Sequence, residues 1–299
     1  MRTETAESYQ KRVERVLAHI QNHLDGLLSL EELAGVAHFS PYHFHRIFRG
    51  MVGESVKEHV RRLRLERAAH QLRFTRQRVT AIAFDAGYQT HESFTRAFRA
   101  AFRESPSGFR ENHGAFLLGQ APSVVHFSPD GRPGEFVPAP GAGSPLEVRI
   151  ERIGRLRLAC MRHLGPYEQV GSTWAKLMAW AASKGLLGPA VRALGIPHDD
   201  PEVIPPDALR YDAALVVDER VRPEGEIEIQ ALGPGDYAVA THRGPYQRVG
   251  ETYARLCGEW LPASGREELA APAFEVYRNS PQSTPPEDLL TDIHVPLAP

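Results

Sequence analysis

The chain reads LEELAGVAHFSPYHFHRIFRGMVGES at residues 30–55 and VTAIAFDAGYQTHESFTRAFRAAFRES at residues 79–105. From Phe44, which matches Phe94, the two stretches align at a constant offset of 50 residues. A repeat at a fixed offset indicates two copies of one structural unit. Each copy predicts a helix, a short polar turn and a second helix whose apolar residues recur at helical spacing.

The second helix of each copy has the features of a helix that enters the DNA major groove. Ser40 and Thr90 are suitable N-caps, and the apolar positions predict one inward face. Arginine can bind guanine through two parallel hydrogen bonds, and short polar side chains can contact other base edges. A merely solvated face is the alternative, which the duplication and the paired arginines disfavour. The predicted DNA-binding residues are Tyr42, His43, His45, Arg46 and Arg49 in the first copy and His91, Glu92, Ser93, Thr95, Arg96 and Arg99 in the second.

The second half of the chain also contains an internal repeat. RLRLACMRHLGPYEQVGSTWAKL at residues 155–177 matches GDYAVATHRGPYQRVGETYARL at residues 235–256. Each copy predicts a strand, a Gly-Pro-Tyr turn, an amphipathic helix, a strand, a proline-rich loop and a further strand. Two such β-α-β-β units can join their sheets and leave a concave face at a pseudo-twofold junction.

The two repeats predict a multi-domain protein. We expect an all-α double helix-turn-helix domain over residues 8–112, a linker rich in proline and glycine over residues 113–145, and an α+β domain with a duplicated β-α-β-β unit over residues 146–299. Residues 1–112 hold 18 Lys and Arg against 13 Asp and Glu, a net charge of +5, whereas the rest of the chain has a net charge of −7. This asymmetry indicates different partners for the two halves.

Glu275 is the clearest candidate for a functional residue in the second half. The strand around it alternates, with Phe274 and Val276 on one face and Glu275 and Tyr277 on the other. In the first copy of the repeat the counterpart of Glu275 is Gly195, so the fold does not require an acid there. A carboxylate among aromatic side chains can pair with a cation while the rings contribute cation–π contacts.

The other predicted ligand-binding residues are Tyr277 and aromatic residues at matching points of the two helices and the two turns. The predicted site is Glu275, Tyr277, Trp174, Tyr253, Tyr167 and Tyr246. The alternative is a solvated Glu275 beside core aromatics. Asp292 and His294 are second choices. For the repeated His163 and His242 we favour packing at a turn or strand end over catalysis, because neither has an obvious acid–base partner.

Several segments resemble known families. SPYHFHRIFR, AFDAGYQTHESFTRAFRAAF and the closing PSGFR resemble the DNA-binding domain of the AraC family of transcriptional regulators. This resemblance implies two helices that enter successive major grooves. The Gly-Pro-Tyr turns, Trp174, Tyr253 and the FEVYRN and TPPEDLLTDIHVPL segments resemble the GyrI-like effector-binding domain, across residues 146–299. That resemblance implies a site for small, often lipophilic and cationic molecules. The combination is similar to the right-origin-binding-protein type of regulator.

We therefore expect a DNA-binding transcriptional regulator that senses a small molecule. Its expected partners are double-stranded DNA and a small-molecule effector, with RNA polymerase as a further candidate. We expect no cofactor and no metal, because Cys160 and Cys257 lack the neighbours of a zinc site. The chain has no apolar run of membrane-spanning length and begins with MRTETAESYQ, which lacks an apolar signal core. These features predict a cytoplasmic protein without a membrane partner.

Two other functions stay open at this point. The first is a GyrI-like hydrolase of reactive small molecules fused to a DNA-binding domain, in which Glu275 would act as base or nucleophile. This alternative follows from the family resemblance, since some stand-alone members are hydrolases. The second is a constitutive DNA-binding protein whose C-terminal domain binds no ligand.

Overall fold

The computed structural model describes residues 2–112, 121–139, 144–188, 191–199, 201 and 204–299, without the side chains of residues 2, 3, 41 and 42. The chain divides into two compact units. The unit that we call the sheet unit comprises Met1–Ala6, Ser40–Gly50 and Gly141–Pro299. The unit that we call the helical unit comprises Glu7–Phe39 and Met51–Pro140.

The described N-terminal part of the chain is helical, and the local sequence sets where several helices begin. Helix α4 begins with a capping box, in which Ser55 Oγ accepts a hydrogen bond from the Glu58 backbone and the Glu58 carboxylate accepts one from the Ser55 backbone. Thr90 caps α6 by accepting a hydrogen bond from Ser93 N at 3.1 Å. The helices are α1 (Arg2–Asn22), α2 (Leu30–Ala37), α3 (Pro41–Val52), α4 (Val56–Phe74), α5 (Val79–Asp85), α6 (His91–Phe102) and α7 (Pro106–Glu111).

The second helix-turn-helix lies within the helical unit and has the predicted inward and outward faces. The core around it contains Phe94 and Phe98 of α6 together with Phe109 of α7. The outward residues His91, Glu92, Arg96 and Arg99 are exposed, and Ser93 and Thr95 are half-buried. Helix α6 therefore presents a free polar and basic face, as its periodicity predicts.

The recognition helix of the first motif, α3, differs from this prediction. His43 and His45 were expected to face outward, but their side chains are buried, and Arg46 and Arg49 are half-buried. The side chain of Tyr42 lies outside the described part of the chain. The prediction of a solvent-facing surface was wrong for the two histidines, because Ser40–Gly50 packs as part of the sheet unit.

The segment predicted as a linker is partly packed among its described residues, 121–139. Val125 is fully buried and Phe136 is 5% exposed. The carboxylate of Glu66 in α4 accepts a hydrogen bond from Phe127 N at 2.8 Å and lies 3.1 Å from His126 Nδ1. The composition suggested an isolated spacer, but apolar side chains within the segment are covered by the helical unit. Residues 113–120 and 140–143 of the predicted linker lie outside the description.

The sheet unit contains a single eight-stranded antiparallel sheet within the described residues. Its order is β1-β6-β8-β7-β3-β4-β2-β5, so the two copies of the β-α-β-β unit meet where β3 pairs with β7. The duplicated unit is confirmed, and β1 and β5 extend its two ends. The strands are β1 (Val148–Ile153), β2 (Leu156–Leu164), β3 (Ala193–Pro197), β4 (Arg210–Val216), β5 (Ile227–Leu232), β6 (Gly235–Arg243), β7 (Phe274–Tyr277) and β8 (Leu290–Pro296).

Two helices of the repeat belong to the same unit as the sheet. Helix α8 spans Val170–Ser183, and α9 spans Val249–Arg255 and continues into a π-helical turn at Leu256–Trp260. One face of the sheet carries an apolar cluster that includes Leu194 and Phe274, and Val276, predicted on the same face as Phe274, packs against it. Among the helices of the described residues, none is long and apolar enough to cross a membrane.

A truncation tests the packing of residues 121–139. A fragment of residues 7–112 lacks two partners of the buried Glu66 carboxylate and the buried side chain of Val125. We expect its free energy of unfolding to be lower than that of residues 7–139 by about 1–3 kcal/mol, the typical cost of losing partners of a buried polar group. Urea denaturation of both fragments measures the difference. Equal midpoints would show that the segment does not stabilise the helices.

Candidate functional site

Strand β7 places Glu275 at the junction of the two half-sheets. Its antiparallel neighbour in β3 is Gly195. The Glu275 side chain is only 9% exposed, and this burial raises the pKa of its carboxyl above the usual value. Phe274 lies in the apolar cluster on the other face, so the alternation predicted for this strand is present. The site is therefore built on the face opposite that core.

A chain of hydrogen bonds leads to the Glu275 carboxylate. The hydroxyl of Tyr277 donates to Glu275 Oε2 at 2.8 Å. The hydroxyl of Tyr211 lies 2.8 Å from that of Tyr277, and Trp174 Nε1 donates to Tyr211 at 3.1 Å. Since the indole can only donate and an ionised carboxylate can only accept, the donors align in one direction, toward Glu275. All the donors of this chain of hydrogen bonds are neutral groups.

Gly195 leaves the space that this chain of hydrogen bonds occupies. A Cβ atom at Gly195 would lie 2.3 Å from the hydroxyls of both Tyr211 and Tyr277. The first copy of the repeat therefore carries a glycine where the second carries Glu275, because the two tyrosine hydroxyls meet over that position.

Aromatic rings surround the carboxylate. The ring centroid of Tyr277 lies 5.8 Å from that of Trp174 and 5.3 Å from that of Tyr246, both with edge-to-face geometry. Tyr253 is 4% exposed, and burial together with the charge of Glu275 raises the pKa of its hydroxyl. Tyr167 joins the cluster through Tyr211, whose ring centroid is 5.9 Å away. The structure thus brings all six predicted residues together.

Sequence reasoning missed two members of this cluster. Tyr211 corresponds to Thr291 in the second copy, so the comparison of copies that identified Glu275 also carried a signal for Tyr211. Arg46 of α3 is the second. Its guanidinium carbon lies 3.7 Å from the ring centroid of Tyr253, and its positive charge opposes the upward pKa shift of Glu275. No sequence signal connected α3 with this strand.

The second-choice residues have other partners. The Asp292 carboxylate accepts hydrogen bonds from Thr241 at 2.6 Å, Arg149 at 2.8 Å and Arg278 at 2.9 Å. Although burial acts in the opposite direction, these donors lower the pKa of Asp292. His294 is 3% exposed, and its Nδ1 lies 3.1 Å from the Asp292 carbonyl. Asp292 therefore ties neighbouring strands together.

The repeated histidines make the same contacts in both copies, beside the Gly-Pro-Tyr turns. His163 Nδ1 lies 3.0 Å from Thr173 Oγ1, and its Nε2 lies 3.1 Å from the Pro166 carbonyl. His242 makes the same two contacts at 2.8 and 3.3 Å. Since a carbonyl can only accept, each Nε2 donates to it, and each ring holds its Gly-Pro-Tyr turn in place. Among the described residues, no cluster of histidine, cysteine and acidic side chains could hold a metal ion.

A double helix-turn-helix sequence together with a duplicated sheet that buries an acid among aromatic rings defines a regulator with a DNA-binding part and a small-molecule-binding part. Two family models match these parts. Residues 33–112 match a helix-turn-helix domain, and residues 146–298, half of the chain, match the GyrI-like small molecule binding domain. The chain belongs to the AraC-type transcriptional regulators that carry a GyrI-like domain.

Three curated relatives agree with this assignment. The uncharacterized HTH-type transcriptional regulator YbfP of Bacillus subtilis is 37% identical over 34% of this chain and 35% of its own length, so the match spans about a third of that protein. The probable transcriptional regulator YgiV of Escherichia coli is 31% identical over 51% of this chain and 97% of its own. The regulatory protein SoxS of Escherichia coli is 33% identical over 34% of this chain and 96% of its own.

The requirement for glycine opposite Glu275 can be tested by substitution. We expect Gly195→Ala to lower the free energy of unfolding by about 1–3 kcal/mol, because overpacking forces the tyrosine hydroxyls apart. Gly154→Ala is the matched control, since a Cβ there meets nothing within 4 Å. Chemical denaturation of both variants measures the effect. A Gly195→Ala variant as stable as the control would contradict the close approach.

Proposed function

We propose that the sheet unit senses a small organic cation with an apolar or aromatic body, and that Glu275 is the residue that binds its charge. The observation that carries the proposal is the burial of the Glu275 carboxylate among Trp174, Tyr246, Tyr253 and Tyr277. A carboxylate removed from water is costly unless an opposite charge approaches it.

The surrounding side chains suit a cation better than an anion or a neutral ligand. Tyrosine and tryptophan rings attract cations to their faces, and their apolar surface covers the body of the ligand. The hydroxyl of Tyr277 fixes the orientation of the carboxylate without neutralising it. A cationic ligand therefore gains an ion pair and aromatic contacts at the same place.

The two recognition helices are the proposed DNA contacts. Helix α6 presents Arg96 and Arg99 on an exposed face, and α3 carries Arg46 and Arg49 at the matching positions. In helix-turn-helix proteins the residues of this helix contact base edges in the major groove. RNA polymerase is a candidate partner of the DNA-bound regulator, consistent with the family's role in transcription.

The hydrolase alternative places Glu275 as the base or nucleophile with Tyr277 beside it. Sensing and turnover differ in the fate of the ligand. Incubation with a bound ligand, followed by mass spectrometry, distinguishes them. Recovery of unchanged ligand at a stoichiometric ratio supports sensing, and accumulation of a hydrolysed product supports the enzyme.

The charge of Glu275 gives binding a defined pH dependence. Since burial raises the pKa of Glu275, the empty site is protonated at pH values where an exposed glutamate is ionised. A cation binds the ionised form, so its affinity rises with pH until the raised pKa is passed and then levels off. We expect Glu275→Gln to remove most of the affinity for organic cations and all of this pH dependence, while a neutral analogue of the same shape is little affected.

Thermal stabilisation of the full chain by organic cations, measured from acidic to neutral pH, checks this expectation. The Glu275→Gln variant keeps the shape of the side chain, so a loss of binding reports the charge. If this variant bound organic cations as tightly as the parent protein, the cation site would lie elsewhere and not at Glu275.

Two arginine substitutions test the DNA proposal. We expect Arg96→Ala to cost about 1–3 kcal/mol on a cognate site and to relax specificity at one base position. Arg61, exposed on α4, should contact phosphate, so Arg61→Ala weakens all sequences evenly and flattens the salt dependence. Arg62 is not the equivalent control, because its guanidinium binds Glu54 and Glu66. Binding titrations on cognate and scrambled duplexes compare the variants, and unchanged discrimination in Arg96→Ala would exclude direct readout by that residue.

A further inference from the structure

Helix α3 contacts the wall of the candidate effector site along one face. His43 Nε2 lies 3.1 Å from the Ala271 carbonyl, next to β7. Three residues later, the guanidinium of Arg46 lies over the ring of Tyr253 in α9. The positions of His43, Arg46 and Gly50 follow the i, i+3 and i+7 spacing of a single helix face. The contact is therefore made by the surface that the sequence assigns to DNA.

Gly50 shows how closely this face of α3 approaches the backbone of α9 and the turn that follows it. A Cβ atom at Gly50 would lie 2.0 Å from the Ala254 carbonyl oxygen and 2.7 Å from Gly258 Cα, both backbone atoms. Those atoms belong to α9 and to the π-helical turn that follows it. An alanine at residue 50 therefore cannot be accommodated by a side-chain rotation, and this contact requires glycine.

The helix-turn-helix unit itself does not require this glycine. The counterpart of Gly50 in the second copy is Ala100, within the regular helix α6. Glycine within a helix costs about 1 kcal/mol relative to alanine. The close approach to α9 gives a physical reason for the glycine, which the geometry of the motif does not.

Arg46 carries the kind of group, a cation, that we propose for the effector. Its delocalised cation lies on an aromatic ring, and its charge acts on Glu275, Tyr253 and Tyr167 alike. Guanidinium groups stack on aromatic faces and bind carboxylates, and they also bind guanine. The same side chain thus fits both the effector site and the major groove, and it can occupy one of them at a time.

We propose that α3 is the resident occupant of the effector site, with Arg46 at the position of the effector's cationic group. The inference rests on the proposed cation site at Glu275. An effector with a planar, guanidinium-like cation competes with Arg46, and its binding releases α3 for the major groove. By thermodynamic reciprocity, DNA that holds α3 strengthens effector binding by the same factor.

The test weakens the α3 contact without changing any residue of the cation site. Gly50→Ala introduces the clashing Cβ and, as Ala100 indicates, is compatible with the motif. Gly35→Ala is the matched control, because it is also a helical glycine and a Cβ there meets nothing within 4 Å. The probe is phenylguanidinium, titrated calorimetrically into the full chain. Hydrogen exchange of the segment Val249–Trp260 is measured for each variant without the probe.

We expect Gly50→Ala to bind phenylguanidinium about 5- to 100-fold more tightly than the parent, in the range of allosteric coupling, and Gly35→Ala to match the parent. We also expect faster exchange in Val249–Trp260 in Gly50→Ala alone, because the covering helix has left. Unchanged affinity and exchange in Gly50→Ala, with binding that Glu275→Gln abolishes, would overturn the α3 contact and keep the cation site. Faster exchange without probe binding by any variant would overturn the cation site and the competition with it.

Discussion

The burial of one carboxylate, that of Glu275, at the line where two half-sheets join is the constraint around which the candidate site is arranged. Since water cannot solvate a buried carboxylate, its charge needs hydrogen bonds and a nearby cation, or the group takes up a proton. Tyr277, Tyr211 and Trp174 supply the hydrogen bonds as a directed chain. Gly195 leaves room for this chain of hydrogen bonds, and the aromatic side chains offer an apolar surface to the body of a cation.

The internal duplication of the sheet unit separates residues of the fold from residues of the site. His163 and His242 brace the same turn in both copies with the same contacts, so their recurrence reflects structure. Glu275 has a glycine as its counterpart, and Tyr211 has a threonine. Both fall at the candidate site. Two copies of one fold thus supply a repeated scaffold, while the acid of the candidate site and one of its hydrogen-bonding tyrosines come from positions where the copies differ.

The same logic applies to the two helix-turn-helix copies. Helix α6 keeps its polar face exposed, whereas the matching face of α3 carries buried histidines and a stacked arginine. The two helices are similar in sequence pattern, yet α3 alone combines Gly50 with an aromatic and acidic surface that accepts a guanidinium. An arginine that can bind guanine can also bind a carboxylate beside a tyrosine ring. The base and the carboxylate–tyrosine pair each offer hydrogen-bond acceptors and an aromatic face. In our proposal, recognition of DNA and recognition of an effector draw on this one side chain.

The sequence by itself determined the elements and much of the site. Helical spacing of apolar residues located the recognition helices, and the alternation of side chains located β7. Comparison of the two copies identified Glu275. All three signals are patterns in the local sequence, which is why they could be seen without the structure. The sequence could not show that residues 121–139 cover the helical unit or that α3 packs with the sheet unit. Those contacts join segments far apart along the chain, and no local pattern encodes the partner of an exposed or apolar face. Only the tertiary structure decided that Arg46 meets Tyr253, because shape complementarity at Gly50 exists only after folding.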